Sequence, residues 1–335
     1  MKAFFVLWIL LLRKFPKPPF KLRSKKNLFA IAFYNLENFF DTKNDLHVLD
    51  DDFTPNGSKK WDDDKYKKKV KKLAKTISCI GYEESGMPPV LVGIAEVENK
   101  NAINALVNSK GLKKHNYAFV HFDSPDERGI DTALLYHKQH FKVLNAETIP
   151  LIIKNINGDR DFTRDILYVH GKLHKEEIHV FVNHWPSRRD GQNVTSYKRV
   201  KAAATVLQKI NSLKNENLNC VIMGDFNDDP NSESIKTLMA TGNFINPLQK
   251  LFSPNTGSAN YRGKWNLFDQ ILISHSFLNH EKETHSFMKT DIFTPKFLRE
   301  WKKKYKGFPF RTFVGKKYLG GYSDHFPVYI ILKQN

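Results

Sequence analysis

Polar side chains suited to acid, base and metal chemistry stand at the ends of several apolar runs in this 335-residue sequence. The set comprises Asn35, Glu96, His184, Asp225, Asp324 and His325. Loops at strand ends often carry function, because a rigid sheet aims their side chains at one place. The repetition of this pattern therefore favours one shared site.

Three of these side chains offer oxygen atoms to a metal ion. Asn35, Glu96 and Asp324 carry amide or carboxylate oxygens. Hard cations such as Mg²⁺ take oxygen ligands from one or two carboxylates, together with water and phosphate. The residue types therefore favour phosphoryl chemistry supported by Mg²⁺, with Mn²⁺ and Ca²⁺ as alternatives.

The two histidines offer acid and base chemistry. A histidine oriented by a carboxylate can protonate a leaving oxygen or stabilise charge on phosphate. His184 and His325 are the candidates, and Asp269, which opens another apolar run, is a candidate partner for one of them. The sequence has no nucleophile elbow and no Gly-rich phosphate loop. Direct attack by water therefore fits better than a covalent intermediate.

Short apolar runs predict the strands that would position these groups. The runs are 28–34, 90–95, 179–183, 219–223, 268–273 and 328–332. Helical spacing of apolar residues predicts one helix from about Tyr66 to Ile80, with its lysines mostly on the outer face, and another from Tyr197 to Ile210. Weaker patterns predict strands over 117–121, 132–137, 141–148 and 165–173. Many strands with few helices predict sheet packed on sheet, with helices outside.

Charge and cysteine content constrain the class of protein. Lys and Arg number 53 against 35 Asp and Glu, which gives a formal net charge of +18. Such a field raises the encounter rate with polyanions, either nucleic acid or an anionic membrane, although it also serves solubility. Cys79 and Cys220 lie in apolar stretches and are interpreted as buried thiols, neither a disulfide framework nor a metal site.

The sequence divides into an N-terminal segment, residues 1–27, and one domain, residues 28–335. Ala3 to Leu12 is an unbroken apolar run that is too short to span a bilayer, and a Pro- and Lys-rich linker follows it. The run is a signal peptide, a membrane-surface anchor or the result of a mis-assigned start codon. The first two predict an exported or membrane-associated protein and the third a cytoplasmic one. Residues 41–58 and 285–321 are predicted to be loops or insertions.

Six segments, in order, resemble the endonuclease/exonuclease/phosphatase superfamily. They read YNLEN, GIAEVEN, HWPSRR, GDFND, WNLFDQILIS and SDHFPV. The similarity extends from about Leu28 to the C-terminus, and GDFN followed later by SDHFPV is its most specific pair. The resemblance implies a DNase I-like fold, a four-layer αββα sandwich of two mixed β-sheets flanked by helices, with the site at one end of the sheets.

The resemblance also implies a role for each polar residue. Asn35 and Glu96 would help to hold Mg²⁺ or Mn²⁺, with Asp324 as a further ligand. Asp225 would orient or deprotonate the attacking water, and Asn227 would position that water and the phosphate.

Three more residues complete the implied site. His325, paired with Asp269, would stabilise the pentacovalent phosphorane. His184 would assist protonation of the leaving group or hold the phosphate. The first motif departs from the family's usual pattern, so Glu37 and Asn38 either ligate the metal, orient Asn35 or pack.

Two arginines and two aromatic residues are candidates for substrate binding. Arg164 and Arg188 either clamp phosphate through bidentate hydrogen bonds or serve surface solvation. Tyr261 and Trp265 alternate with basic residues just before a predicted strand, a pattern suited to stacking on exposed bases. Simple core packing of Trp265 is the alternative.

The sequence therefore predicts a metal-dependent phosphodiesterase, with DNA or RNA as its substrate. The alternative within the same chemistry is a phosphatase or phospholipase that acts on inositol phosphates, sphingomyelin or another small phosphoester. A non-catalytic nucleic-acid-binding protein would show damaged motifs, whereas every main position here holds a competent residue. The chain is expected to be monomeric, with a membrane surface as an alternative partner and no protein partner inferred.

Overall fold

The computed structural model describes residues 27–155, 157–214 and 218–335. Two six-stranded sheets pack face to face at its centre. In chain order, the strands of the first sheet are β1 (Leu28–Phe39), β2 (Leu91–Val97), β3 (Tyr117–His121), β4 (Asp131–His137), β15 (His285–Ile292) and β18 (Val328–Gln334). Those of the second are β5 (Phe141–Ile149), β8 (Ile166–Leu173), β9 (Glu176–His184), β10 (Cys220–Asp225), β11 (Phe244–Ile245) and β14 (Asp269–Ser274).

Helices cover both outer faces, and short hairpins lie at the sheet ends. The helices are α1 (Asp63–Cys79), α2 (Tyr82–Ser85), α3 (Lys100–Val107), α4 (Gln192–Ser212) and α5 (Glu233–Met239). The hairpins pair β6 (Ile153–Lys154) with β7 (Arg160–Asp161), β12 (Ala259–Tyr261) with β13 (Lys264–Asn266), and β16 (Phe313–Val314) with β17 (Lys317–Tyr318). Single turns of 3₁₀ helix span Asp51–Phe53, Lys113–His115, Pro247–Leu251, His275–Leu278, Lys296–Leu298 and Lys303–Tyr305.

Strand β1 shows why the molecule has four layers. Its side chains alternate between two apolar cores, because successive residues of a strand point to opposite faces. Ile31 and Phe33 pack between the two sheets. Ala32 and Tyr34 pack against α1 and α3. A third core lies between the second sheet and α4 and α5. The predicted αββα sandwich and its six main buried strands are confirmed.

Strand directions bring the polar strand ends to one end of the sandwich. Strand β1 runs parallel to β2, and β9 runs parallel to β10, so their carboxyl ends coincide. The antiparallel β14 places Asp269 opposite Asp225. The antiparallel β18 begins at Val328 opposite Phe33, which leaves the preceding His325 at the same end.

The predicted loop 285–321 is wrong in its first part, because His285–Ile292 forms strand β15 at the edge of the first sheet. Its partner is β18, and its residues vary between buried and exposed. An edge strand with polar, partly exposed residues lacks the apolar run that predicts a buried strand. Cys79 and Cys220 are both free thiols, but only Cys220 is buried as predicted, because Cys79 lies near the end of α1 and is half-buried. The predicted N-terminal apolar segment lies outside the described residues, within which no helix is long and apolar enough to cross a membrane.

A chain of histidines joins the two sheets at the end opposite to the polar strand ends. Glu176 binds His285 Nδ1 at 2.5 Å, and His285 Nε2 lies 3.0 Å from His174 Nδ1. His174 Nε2 lies in turn 2.9 Å from His140 Nδ1. The ring of Phe29 contacts all three imidazoles. Because an N–H···N bond needs one unprotonated nitrogen, two histidines bonded to each other in this chain cannot both be doubly protonated.

Candidate active site

A backbone irregularity directs Glu96 into the site. The register shifts between Ala95 and Val97 on both sides of β2, and Glu96 adopts a positive φ of 60°. A β-bulge of this kind re-aims a side chain and is common beside active sites. Glu96 Oε2 accepts the amide N–H of Asn38 at 2.7 Å, and its Oε1 faces the site. A left-handed conformation at a non-glycine residue costs about 1–3 kcal/mol, so the surrounding fold must stabilise this position.

Asn35 connects Glu96 to Asp225. Its Nδ2 donates to Glu96 Oε1 at 3.2 Å and to Asp225 Oδ2 at 3.0 Å. Its Oδ1 accepts the amide N–H of Glu37 at 2.9 Å. All of Asn35 is buried. In this arrangement the amide group of Asn35 orients the two carboxylates, and Glu37 orients Asn35, which is one of the three roles that the sequence left open for Glu37.

Two histidines approach the same oxygen of Asp225, one from the end of β9 and one from the segment before β18. His184 Nε2 lies 3.8 Å from Asp225 Oδ2, and His325 Nε2 lies 3.9 Å from it. His184 Nε2 is also 3.9 Å from Glu96 Oε1. The far side of His325 binds Asp269, with 2.6 Å between Nδ1 and Oδ2. Asn35 and His325, which are far apart in sequence, thus both lie within 3.9 Å of Asp225 Oδ2.

The three titratable groups around this oxygen differ in their protonation. Burial opposes charge on His325, but the carboxylates of Asp269 and Asp225 outweigh it and raise the pKa of His325 well above its usual value. Burial, with the positive charges of Arg164 and Arg128 nearby, holds the pKa of His184 well below its usual value. Burial raises the pKa of Asp225 to about 6, although His325 opposes that shift. The site therefore combines an imidazolium, a neutral imidazole and a weakly basic carboxylate.

The donor set fits a divalent cation. Glu96 Oε1 and Asp225 Oδ2 face each other across Asn35 Nδ2, and Asp269 lies close to Asp225. One oxygen of Asp269, Oδ1, is buried and has no hydrogen-bond partner. A carboxylate oxygen without a donor, as at Asp269, suits a hard cation such as Mg²⁺. The residues that would hold it are Glu96 and the neighbouring carboxylates.

Asp324 and Asn227 lie beside this centre and make other contacts. Asp324 forms an ion pair with Arg311, and its pKa is lowered, because His325 and Arg311 together outweigh the effect of burial. The amide N–H of Asn227 donates to Asp225 Oδ1 at 2.9 Å. The side chain of Asn227 donates to the carbonyl of Trp185, also at 2.9 Å. Asn227 thus fixes the orientation of the Asp225 carboxylate from its outer side.

The structure places the two predicted arginines behind the site. Arg164 is buried and donates to the carbonyl oxygens of His184 and Trp185, at 3.2 and 2.8 Å, and to Asp126 at 2.9 Å. Arg188 donates to the carbonyl of Asn227 at 2.7 Å and forms ion pairs with Asp228 and Asp229. Both guanidinium groups therefore hold the loops that carry His184 and Asn227, and neither reaches the carboxylate centre directly.

The two predicted aromatic residues lie on the β12–β13 hairpin. Tyr261 is 65% exposed at its tip, beside Arg262, whose guanidinium is 5.2 Å from the tyrosine ring. Trp265 is half-buried and stacks on Phe326 at 6.1 Å. The hairpin adjoins the catalytic end, because Ala259 bridges to His325. Trp265 thus packs against the segment that follows His325, and Tyr261 is open to solvent.

Three charged residues near the centre were not predicted as site residues. Arg128, in the loop before β4, acts electrostatically on His184. Arg311 reaches Asp324 from the segment 296–321. Lys69 lies buried on α1, 4.0 Å from Glu37. No sequence signal separates Arg311 from Arg299 or Lys69 from its neighbouring lysines, because their positions depend on contacts between distant segments.

Comparison with known proteins identifies one matching family and several solved structures with a similar fold. Residues 30–334 match the sequence model of the Endonuclease/Exonuclease/phosphatase family. No curated protein sequence matches the chain. Among solved structures, TDP2 of D. rerio in complex with a single-strand DNA product is similar with a TM-score of 0.56 and 15% identity, covering 92% of this chain and 99% of that one.

Two further solved structures share the architecture. A mannosyl-6-phosphatase from Bacteroides thetaiotaomicron has a TM-score of 0.57 and 17% identity, over 91% of this chain and 99% of its own. The human Nocturnin catalytic domain, with a bound sulfate anion, has a TM-score of 0.58 and 14% identity, over 93% and 97% of the two chains. At these identities the similarity establishes the fold.

Proposed function

Because the chain belongs to the Endonuclease/Exonuclease/phosphatase family, whose members hydrolyse phosphoester bonds, we propose that it is a divalent-metal-dependent nuclease that cleaves phosphodiester bonds in DNA or RNA. The observation that carries the proposal is the convergence of His184, His325 and Asn35 on one oxygen of Asp225, beside Glu96. A substrate phosphate would bind beside Asp225, where these side chains meet.

In the proposed reaction, water attacks phosphorus in line with the leaving oxygen. Asp225 takes a proton from that water, because its pKa of about 6 leaves it ionised yet basic at neutral pH. The imidazolium of His325, held by Asp269, stabilises the negative charge that builds on the phosphoryl oxygens. A divalent cation bound at Glu96 would polarise the phosphate as a Lewis acid.

His184 would serve the leaving oxygen as a neutral donor. Its Nε2 faces two carboxylates, so the neutral ring carries its proton there. A hydrogen bond from Nε2–H would stabilise the alkoxide as the P–O bond breaks. Since the pKa of His184 is well below its usual value, the alkoxide takes its proton from solvent, and the ring stays neutral.

Two features favour a polymeric anion over a small phosphoester. The net charge of +18 supplies the long-range attraction that nucleic acid binding requires. The β12–β13 hairpin extends an exposed tyrosine and the basic residues Arg262 and Lys264 from the neighbourhood of His325. Stacking on an aromatic ring together with phosphate contacts is how single strands are bound.

The test compares substrates and metal states in one assay. Wild-type protein, Asp225→Asn and the surface control Asp64→Asn are given plasmid DNA, single-stranded DNA, RNA and a panel of phosphomonoesters and phospholipids, with Mg²⁺ or EDTA. We expect nucleic acid cleavage that requires metal, is lost in Asp225→Asn and is retained in Asp64→Asn. Rapid hydrolysis of a sugar phosphate, an inositol phosphate or a phospholipid, with nucleic acid left intact, would instead identify a phosphatase or phospholipase.

A further inference from the structure

Arg311 lies at the edge of the carboxylate centre, although it comes from a segment without a family motif. Its Nη2 donates to Asp324, and its Nε is 3.8 Å from Glu37 Oε1. Its side chain is 40% exposed. Among the described residues, no hydrogen-bond partner contacts Nη1. One edge of a fixed guanidinium is therefore free to donate to a ligand.

The backbone that follows Arg311 is anchored to the carboxyl end of β1 and to α1. The carboxylate of Glu37 accepts the amide N–H groups of Thr312 at 2.6 Å and Phe313 at 3.2 Å. The ammonium of Lys69, on α1, donates to the carbonyl of Tyr322 at 2.6 Å and to the carbonyl of Glu37 at 3.2 Å. These buried contacts hold the segment after Arg311 in place before any substrate binds.

Acidic side chains outnumber cationic ones in the carboxylate centre beside Arg311. Its carboxylates belong to Glu37, Glu96, Asp225, Asp269 and Asp324. The cationic groups that face them belong to Lys69, Arg311 and, as an imidazolium, His325. Arg311 is the most exposed of these cations, with 40% of its side chain open to solvent against 1% for Lys69 and 12% for His325, so a ligand can reach it.

We propose that Arg311, held by Asp324, binds a phosphoryl oxygen of the substrate through Nη1. A guanidinium suits this role because it is planar, permanently charged and offers several N–H donors to carboxylate and phosphate together. The inference rests on the proposed function, since it assigns the ligand of the same site.

The test measures binding before hydrolysis. Calorimetry follows inorganic phosphate binding, in saturating Mg²⁺, to wild-type protein, Arg311→Ala, Arg311→Lys and the matched control Arg299→Ala, an exposed arginine of the same segment. We expect phosphate affinity to fall about 10- to 100-fold in Arg311→Ala, which is the value of a charge-assisted hydrogen bond. Arg311→Lys should lose less, and Arg299→Ala should bind as the wild type does.

One further readout separates phosphate binding from a structural role. Guanidinium ion added at millimolar concentration should restore part of the phosphate affinity of Arg311→Ala. Unchanged phosphate affinity in Arg311→Ala overturns the proposal. If Arg311→Ala does not fold, an Arg311→Lys protein indistinguishable from the wild type in phosphate affinity also overturns it.

Failure of this inference is distinguishable from failure of the proposed function. Phosphate titration does not require any substrate to be hydrolysed. A wild type that cleaves nucleic acid while Arg311→Ala binds phosphate normally refutes the role of Arg311 alone. A wild type that binds phosphate through Arg311 but cleaves no nucleic acid refutes only the choice of substrate.

Discussion

His325 Nδ1 lies 2.6 Å from Asp269 Oδ2, and the opposite nitrogen of the ring faces Asp225. The buried carboxylate of Asp269 therefore fixes both the orientation of the imidazole and its charge. Because Asp269 is the largest contribution that raises the pKa of His325, it keeps the ring protonated where an isolated histidine would be neutral.

Replacing Asp269 by Asn should lower kcat by about 10²- to 10⁴-fold, the range seen when a histidine loses its orienting carboxylate. The imidazolium is the active form in the proposed reaction, so losing the anion lowers the pKa of His325 and reduces the active fraction at alkaline pH. The alkaline limb of the kcat–pH profile should move to lower pH. An unshifted limb, in a variant whose Tm matches the wild type, would contradict the assignment.

Glu96→Gln should weaken Mg²⁺ binding by at least about tenfold while the fold is kept. A glutamine oxygen can still accept the amide N–H of Asn38, but it no longer carries the charge that the cation requires. Calorimetric Mg²⁺ titration measures the effect directly. Glu98→Gln is the matched control. Glu98 lies two residues after Glu96, and its carboxylate accepts the amide N–H of Asp41 outside the site. Equal affinities in the two variants would exclude Glu96 as a ligand.

Lys69 and Glu37 should show strong energetic coupling. Burial lowers the pKa of Lys69 to about 8, and burial together with Asp324 raises the pKa of Glu37 to about 7. Removing one member leaves the other charge buried, so Lys69→Met should cost about 3–5 kcal/mol of unfolding free energy. The double variant Lys69→Met/Glu37→Gln should cost less than the two single variants together. Additive costs in urea unfolding would show that the pair does not interact.

The histidine chain should make the fold sensitive to acid. Burial, with His285 and His140 nearby, lowers the pKa of His174 to about 4, below its unfolded value. The unfolded state therefore binds more protons between these pKa values, and stability falls as the pH drops from about 6.5 to about 4. Tm should decrease over this interval, and less steeply in His174→Gln.

The exposed His47 provides the control for that measurement. His47→Gln should reproduce the wild-type dependence of Tm on pH, since its side chain lies outside the chain of imidazoles. If Tm falls equally steeply with decreasing pH in His174→Gln and in the wild type, groups other than His174 govern the acid sensitivity.

The central strands could be predicted from sequence because burial on both faces produces apolar runs such as 28–34 and 219–223. The grouping of Glu96, Asp225 and His325 followed from their positions at strand ends. Strand β15 could not be predicted in this way, since an edge strand is only partly buried. Lys69 belonged to a helix face expected to be exposed, and only the return of residues 296–321 onto α1 buries it.

The amide orientation of Asn35 and the contacts of Arg164 could not be predicted from the sequence either. Each depends on which partner lies within 3.2 Å once the chain is folded. Residue type correctly indicated a group that binds oxygen atoms or anions. It could not tell whether the partner would be a ligand, a neighbouring carboxylate or the backbone of an adjacent loop.

Strand β1 pairs with β2 on one side and with β18 on the other. During synthesis on the ribosome, the place beside β1 therefore stays empty until translation has passed Gln334. His325 and Arg311 reach Asn35 and Glu37 only at that stage, so nascent chains should lack hydrolytic activity. Pairing across such a sequence separation is slow to form. We expect this protein to acquire activity only once β18 has paired with β1, later than most of its secondary structure forms.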